Sequence, residues 1–135
     1  MFKKSFCLLL AILTVLVLCS FSSEDTPEDN SDYSYTNECY SALNISGLNG
    51  ECVSHLFGYY GITTKIVVKQ YLQVRDGNRW RNAQNWTKTY YKYYCEFVNN
   101  RTLYTGNTYR VYTEFKVYAG SNYETITTYS TSHTV

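Results

Sequence analysis

Three observations predict an all-β fold, an antiparallel immunoglobulin/fibronectin-like sandwich of about seven strands. First, Tyr109 to Tyr118 alternates with period 2: Tyr109, Val111, Thr113, Phe115 and Val117 on one side, Arg110, Tyr112, Glu114, Lys116 and Tyr118 on the other. That is the pattern of a strand with one buried and one wet face. Second, the chain has 16 tyrosines but one proline and one methionine, and tyrosine, threonine and valine favour a pleated, half-buried surface. Third, turn formers recur at short intervals with no helical period between them.

In order, residues 1–22 read as an export signal. Lys3 and Lys4 open it, the apolar run Phe6–Cys19 follows, and Ser20-Phe21-Ser22 supplies small residues for cleavage. The run is shorter than the roughly 20 residues needed to span a bilayer, which argues against a retained anchor. Leu18 before Cys19 argues against lipidation, which wants a small residue there. Residues 23–35 read as an acidic, disordered linker carrying Pro27 and the run Glu24, Asp25, Glu28, Asp29 and Asp32. This cluster lacks the glycine and terminal glutamate of a calcium loop.

Residues 36–135 form the β domain. The expected strands are Asn37–Ile45, Glu51–Phe57, Ile62–Val74, Arg79–Thr87, Tyr90–Val98, Tyr109–Tyr118 and Tyr123–Ser132. Ser46–Gly50, Gly58–Gly61, Asp76-Gly77-Asn78 and Gly120-Ser121-Asn122 punctuate them; glycine and asparagine tolerate the positive φ of tight turns. Leu103, Gly106 and Tyr109 have the spacing of a tyrosine corner. The other immunoglobulin hallmarks are missing: the third strand has no Trp and the Tyr109–Tyr118 strand no Cys. A β-barrel of similar strand number is the alternative.

The blocks Gly58-Tyr-Tyr-Gly-Ile-Thr-Thr-Lys-Ile, Leu72-Gln-Val-Arg-Asp-Gly-Asn-Arg-Trp80, Trp86-Thr, Gly106-Asn-Thr-Tyr-Arg-Val and Gly120-Ser-Asn-Tyr-Glu-Thr resemble a family of small exported proteins of Firmicutes, mostly clostridial. The resemblance covers roughly residues 36–135. It implies a signal peptide and one β-sandwich domain, and it implies no activity.

Without residues 1–22, three cysteines remain, Cys39, Cys52 and Cys95, so one intrachain disulfide at most can form. Cys52–Cys95 is the better candidate, because the second and fifth strands are neighbours in an immunoglobulin-like order; two buried thiols are the alternative. Cys52 and His55, three apart on a strand, face opposite ways and cannot form a nucleophile–base pair. His133 is expected to fray at the chain end. Glu96 and Glu114 belong to different sheets and cannot flank one bond. No phosphate loop, dinucleotide fingerprint or nucleophile elbow occurs. No enzyme, metal site or cofactor is expected. From Tyr33 onward ten Lys+Arg face six Asp+Glu, too mild and scattered an excess for nucleic acid.

A surface is left. If the third, sixth and seventh strands pair, their outer residues form an open face of tyrosines laced with cations. Its candidate binding residues are Lys69, Tyr71, Arg110, Tyr112, Lys116, Tyr118 and Tyr123. Trp80 and Trp86 share a parity and are expected on one side, as core anchors or a stacking platform. Cross-strand tyrosines also merely stabilise sheets. The expected function is a secreted or cell-surface, non-catalytic module binding an extracellular protein or carbohydrate. A membrane enters only through an uncleaved or lipidated N-terminus. The alternatives are a self-associating envelope protein and a secreted antimicrobial or toxin. Asn44, Asn85 and Asn100 head glycosylation sequons, which count only in a eukaryotic secretory pathway.

Overall fold

The computed structural model describes residues 32–135. The expected export signal and most of the expected linker lie outside the described residues. The strands are β1 (Thr36–Ser46), β2 (Asn49–Gly58), β3 (Lys65–Asp76), β4 (Arg79–Tyr90), β5 (Tyr94–Thr102), β6 (Thr108–Ala119), β7 (Asn122–Tyr129) and the short β8 (His133–Thr134). They form two antiparallel sheets, one ordered β1-β2-β5 and the other β4-β3-β6-β7, with β8 pairing β6. The expected neighbours are observed: the second strand pairs with the fifth, the third with the sixth and the sixth with the seventh, while the fourth pairs with the third.

Strand β6 is the organising element. Tyr109, Val111, Thr113, Phe115 and Val117 are all buried, and the residues between them face out. It meets β3 in register from Lys65–Tyr118 to Val74–Tyr109. The tyrosine corner forms: the Tyr104 amide donates to the Tyr109 hydroxyl at 3.0 Å, Leu103 is buried, and Gly106 takes φ 87°.

The core is two apolar clusters. Leu43, Cys52, Leu72, Val74, Leu103, Tyr109 and Val111 fill one end of the sandwich, with Trp86 against them. Leu56, Ile66, Val68, Cys95, Phe115, Val117 and Ile126 fill the other. A belt of buried polar side chains separates them. Gln70, Ser54 and Thr113 are fully buried. The Gln70 amide nitrogen reaches Ser54 Oγ at 2.7 Å and the carbonyls of Phe97 and Cys52 at 3.0 and 3.2 Å, while Asn99 donates to Gln70 Oε1 at 2.9 Å. Hydroxyl contacts then run Ser54–Thr113 (2.6 Å), Thr113–Ser41 (2.7 Å) and Ser41–Thr128 (2.6 Å). Because the amide nitrogen can only donate, the hydroxyl protons can all point onward toward Thr128, a cooperative chain through both sheets.

Several expectations are corrected. Residues 33–35 are part of the domain. Tyr33 and Tyr35 pack against the second core cluster, and the Ser34 and Tyr35 amides donate to Glu124. β3 begins at Lys65 rather than Ile62, because Thr63 is buried in the preceding loop. β5 runs Tyr94–Thr102, shifted toward the C-terminus from Tyr90–Val98, and β4 extends to Tyr90. The last strand breaks at buried Ser130, whose hydroxyl accepts from the Val111 amide. The chain then resumes in β8, so His133 pairs with Tyr109 instead of fraying.

The disulfide is corrected too. Cys52 and Cys95 lie on adjacent strands and both face inward, but Cys52 pairs with Asn99 and Cys95 with Leu56. Four residues of offset separate them by about 13 Å along the strand, far beyond the roughly 7 Å limit for Cα atoms of a disulfide. Both are buried free thiols, and burial pushes each pKa up to about 12.

Candidate binding face

The outer face of the β4-β3-β6-β7 sheet carries the expected binding residues, with one exception. A bulge in β4 pairs Asn82 with Gln73 and Gln84 with Leu72, leaving Ala83 extra. One extra residue reverses the side-chain parity of everything beyond it. Trp80, opposite Arg75, therefore stands on the outer face. Trp86, opposite inward-facing Gln70, packs against the core. The shared side expected from their spacing is lost.

The face resolves into two aromatic–cation groups. At one end three tyrosines align across three strands, since Tyr71 pairs with Tyr112 and Tyr112 with Tyr129. Their rings stack, Tyr71–Tyr112 at 5.4 Å and 23°, Tyr112–Tyr129 at 4.9 Å and 19°. The Arg110 guanidinium lies 4.3 Å from the Trp80 ring centre and 4.5 Å from that of Tyr129, and Arg75 lies 5.3 Å from Trp80. Arg110 Nε donates to Gln73 Oε1 at 2.8 Å, and Gln73 Nε2 donates to Asn82 Oδ1 at 2.9 Å. Gln73 is buried by these neighbours although it points outward. Burial lowers the Arg110 pKa, yet arginine stays charged across the accessible range. The Tyr112 hydroxyl donates to Glu114 Oε1 at 2.8 Å; burial first, and then this bond, raise its pKa.

At the other end Lys65 lies 4.0 Å over Tyr118, and Lys116 lies 4.0 Å over Tyr123 and 5.4 Å over Tyr118. Tyr118 and Tyr123 sit 5.5 Å apart and tilted by 45°. Six residues of β6 separate Tyr112 from Tyr118, about 20 Å. Between the groups stand exposed Lys69 and its register partner Glu114.

This arrangement limits what the face can do. Rings standing side by side across strands spend their faces on one another and on cations, leaving edges and hydroxyls outward. A flat platform for a sugar ring is therefore not offered by the Tyr71–Tyr112–Tyr129 row. What is offered is a pre-ordered surface on which, among the described residues, Lys65, Lys69, Arg75, Arg110 and Lys116 stand against the single acid Glu114.

Sequence reasoning missed Arg75 and Asn82 as members of the first group; it put Gln73 on the outer face without a partner. The signal was present: each pairs with or flanks a candidate, but placing Trp80 beside them required the bulge. Elsewhere, Cys52 faces the core while His55 lies on the opposite sheet's outer face, stacked on Tyr40 at 4.8 Å with its Nε2 3.3 Å from Glu38 Oε1. Glu96 pairs with His55 and Glu114 with Lys69, so the two acids lie on opposite outer sides of the sandwich. Comparison with protein-family models and with curated proteins finds no match to either.

Proposed function

We propose that this chain is an exported, non-catalytic binding module whose four-stranded face takes an acidic protein partner. Export rests on the leader-like residues 1–22. The observation that carries the binding reading is the locked Tyr71–Tyr112–Tyr129 row ending on Arg110 and Trp80. Rigid aromatic side chains give contact area at low entropy cost, and arginine beside them is typical of energetically dominant contacts. The excess of cations selects acidic surfaces and speeds encounter with them. A protein is favoured over a carbohydrate because the ring faces are already occupied. Lys69, Tyr71, Arg110, Tyr112 and Tyr129 are the central contacts; Lys116, Tyr118 and Tyr123 form a second patch on the same face.

Selection of a displayed peptide library against the chain, in parallel with a glycan array, tests this. Acidic sequences should be enriched, and Arg110→Ala or Tyr112→Ala should weaken them by about 2 kcal/mol, some 30-fold. Enrichment that ignores charge, or that survives both substitutions, would rule out this face; binding only to glycans would rule out the ligand class.

A further inference from the structure

The fold sorts the domain's cations by type. Its five arginines, Arg75, Arg79, Arg81, Arg101 and Arg110, lie toward the end holding the β3–β4 turn. Of its five lysines, Lys65, Lys88, Lys92 and Lys116 lie toward the opposite end and Lys69 lies midway. The lysine end is also where exposed apolar surface gathers: Phe57, Tyr59, Tyr60, Ile62, Tyr91 and Tyr94 are all exposed there, Tyr60 by 85% and Tyr91 by 81%.

These side chains are held out by the fold. The loop between β2 and β3 turns at Tyr59–Ile62, with the Ile62 and Thr63 amides donating to the Tyr59 carbonyl and Gly61 at φ 78°. Buried Thr63 donates to the Tyr35 carbonyl and accepts from the Tyr59 amide, and the Thr64 amide donates to the Tyr118 carbonyl. With both ends pinned, Tyr60 and Ile62 stay largely exposed to solvent. The Gly58 amide donates to the Tyr93 carbonyl, which brings the β4–β5 loop alongside. Tyr93 then meets Phe57, Tyr60 and Tyr94 edge-on at 5.2–5.4 Å. Lys92 lies 4.8 Å from the Tyr94 ring and Lys88 4.8 Å from that of Tyr90.

We propose that this end of the sandwich docks on an anionic lipid surface. Tyrosine with lysine is the pairing that suits a membrane interface: the ring enters the headgroup layer while the ammonium stays with the phosphates. Loops 59–64, 91–93 and 120–121 contain no acidic residue. Of the acids nearby, Glu124 is turned onto the Ser34 and Tyr35 amides and Glu38 onto His55. Asp32 remains, and Glu96, exposed on β5 two residues past Tyr94, lies at the margin of the patch opposite His55. The chain also enters the domain at this end, at Asp32–Thr36. The Arg110–Trp80 group at the other end is then presented away from the bilayer. The docking stands independently of what the four-stranded face binds.

Tyr60→Trp in the full chain tests this, with Leu48→Trp, exposed at the opposite end, as the control and Tyr91→Trp as a second reporter. Each is mixed with brominated phosphatidylcholine vesicles containing about a third phosphatidylglycerol. Emission added at positions 60 and 91 should be quenched and that at position 48 should not. Omitting phosphatidylglycerol, or substituting Lys65→Ser with Lys92→Ser, should lower vesicle affinity about tenfold. The proposal is overturned by equal quenching at both ends, by no quenching, or by quenching indifferent to both lipid charge and the lysines. It is also overturned if the reporters respond only to protein concentration, which would make the patch a contact between copies.

Discussion

Thr113 shows how much a single hydroxyl can hold. Its Oγ1 bridges Ser41 and Ser54 across the two sheets and is itself fully buried. Thr113→Val preserves shape and strands both serines, so it should lower stability by about 1–3 kcal/mol. Gln70→Leu also orphans the Cys52 and Phe97 carbonyls and the Asn99 amide, and should lose more; urea melts of both variants give the comparison. A Thr113→Val melt at the wild-type midpoint would mean the belt contributes nothing net. The buried thiols give a pH dependence. Their folded pKa values, about 12, exceed the ordinary 9.0. Between these values the unfolded chain has lost protons that the folded chain keeps, so stability falls as pH rises. It should be intact below about pH 9 and decline toward pH 12, by up to about 1.4 kcal/mol per pH unit per thiol. Cys52→Ala/Cys95→Ala should flatten that part of the profile; an unchanged slope would assign it to other groups.

Among the elements, the tyrosine corner and the bulge matter most. Tyr109→Phe removes the acceptor of the Tyr104 amide at the crossover from β5 to β6 and should cost about 1–2 kcal/mol. Protection of the Tyr104 amide against exchange with solvent should drop with it, and protection maintained at the wild-type level would show the bond to be idle. Gly58 has a different role. A Cβ there would stand 2.8 Å from both Cβ and Cγ2 of Thr63, closer than carbon atoms tolerate. Gly58→Ala should therefore destabilise by about 1–3 kcal/mol and loosen the 59–64 loop, read as raised susceptibility to cleavage beside Tyr60. The β6 alternation, the Gly77 turn and the Leu103–Gly106–Tyr109 corner were all legible in sequence, because each is local. Trp80 and Trp86 were misplaced because a bulge is a property of two strands, and Ala83 carries no mark of its own.

For the molecule as a whole, the two core clusters bury one thiol each, Cys52 in the first and Cys95 in the second, with half-buried Cys39 packed against the second. The polar belt joins them through both sheets. The domain should therefore unfold as one unit, with Cys52 and Cys95 becoming reactive to a thiol reagent at the same urea concentration. Separate midpoints would show that the belt divides the core energetically as well as spatially. Thr113→Val should bring such a separation closer if the belt is what couples the halves.

By itself, the sequence determined seven of the eight described strands, the grouping of the second with the fifth and of the third, sixth and seventh, the buried side of β6 and the corner at Tyr109, because period-2 patterning and turn chemistry are written along the chain. It also carried the residues of the candidate face, though as a uniform tyrosine surface. Tertiary structure alone decided that this face is two groups about 20 Å apart, because stacking depends on register between strands. It decided against the disulfide, since a four-residue offset cannot be read from spacing when neither partner strand's start is fixed. It decided that Gln70 lies inside, where a polar residue in an apolar stripe has meaning only once its acceptors on other strands are known. And it gathered lysine and exposed tyrosine at one end, because which loops become neighbours is fixed by how two sheets close on a shared core.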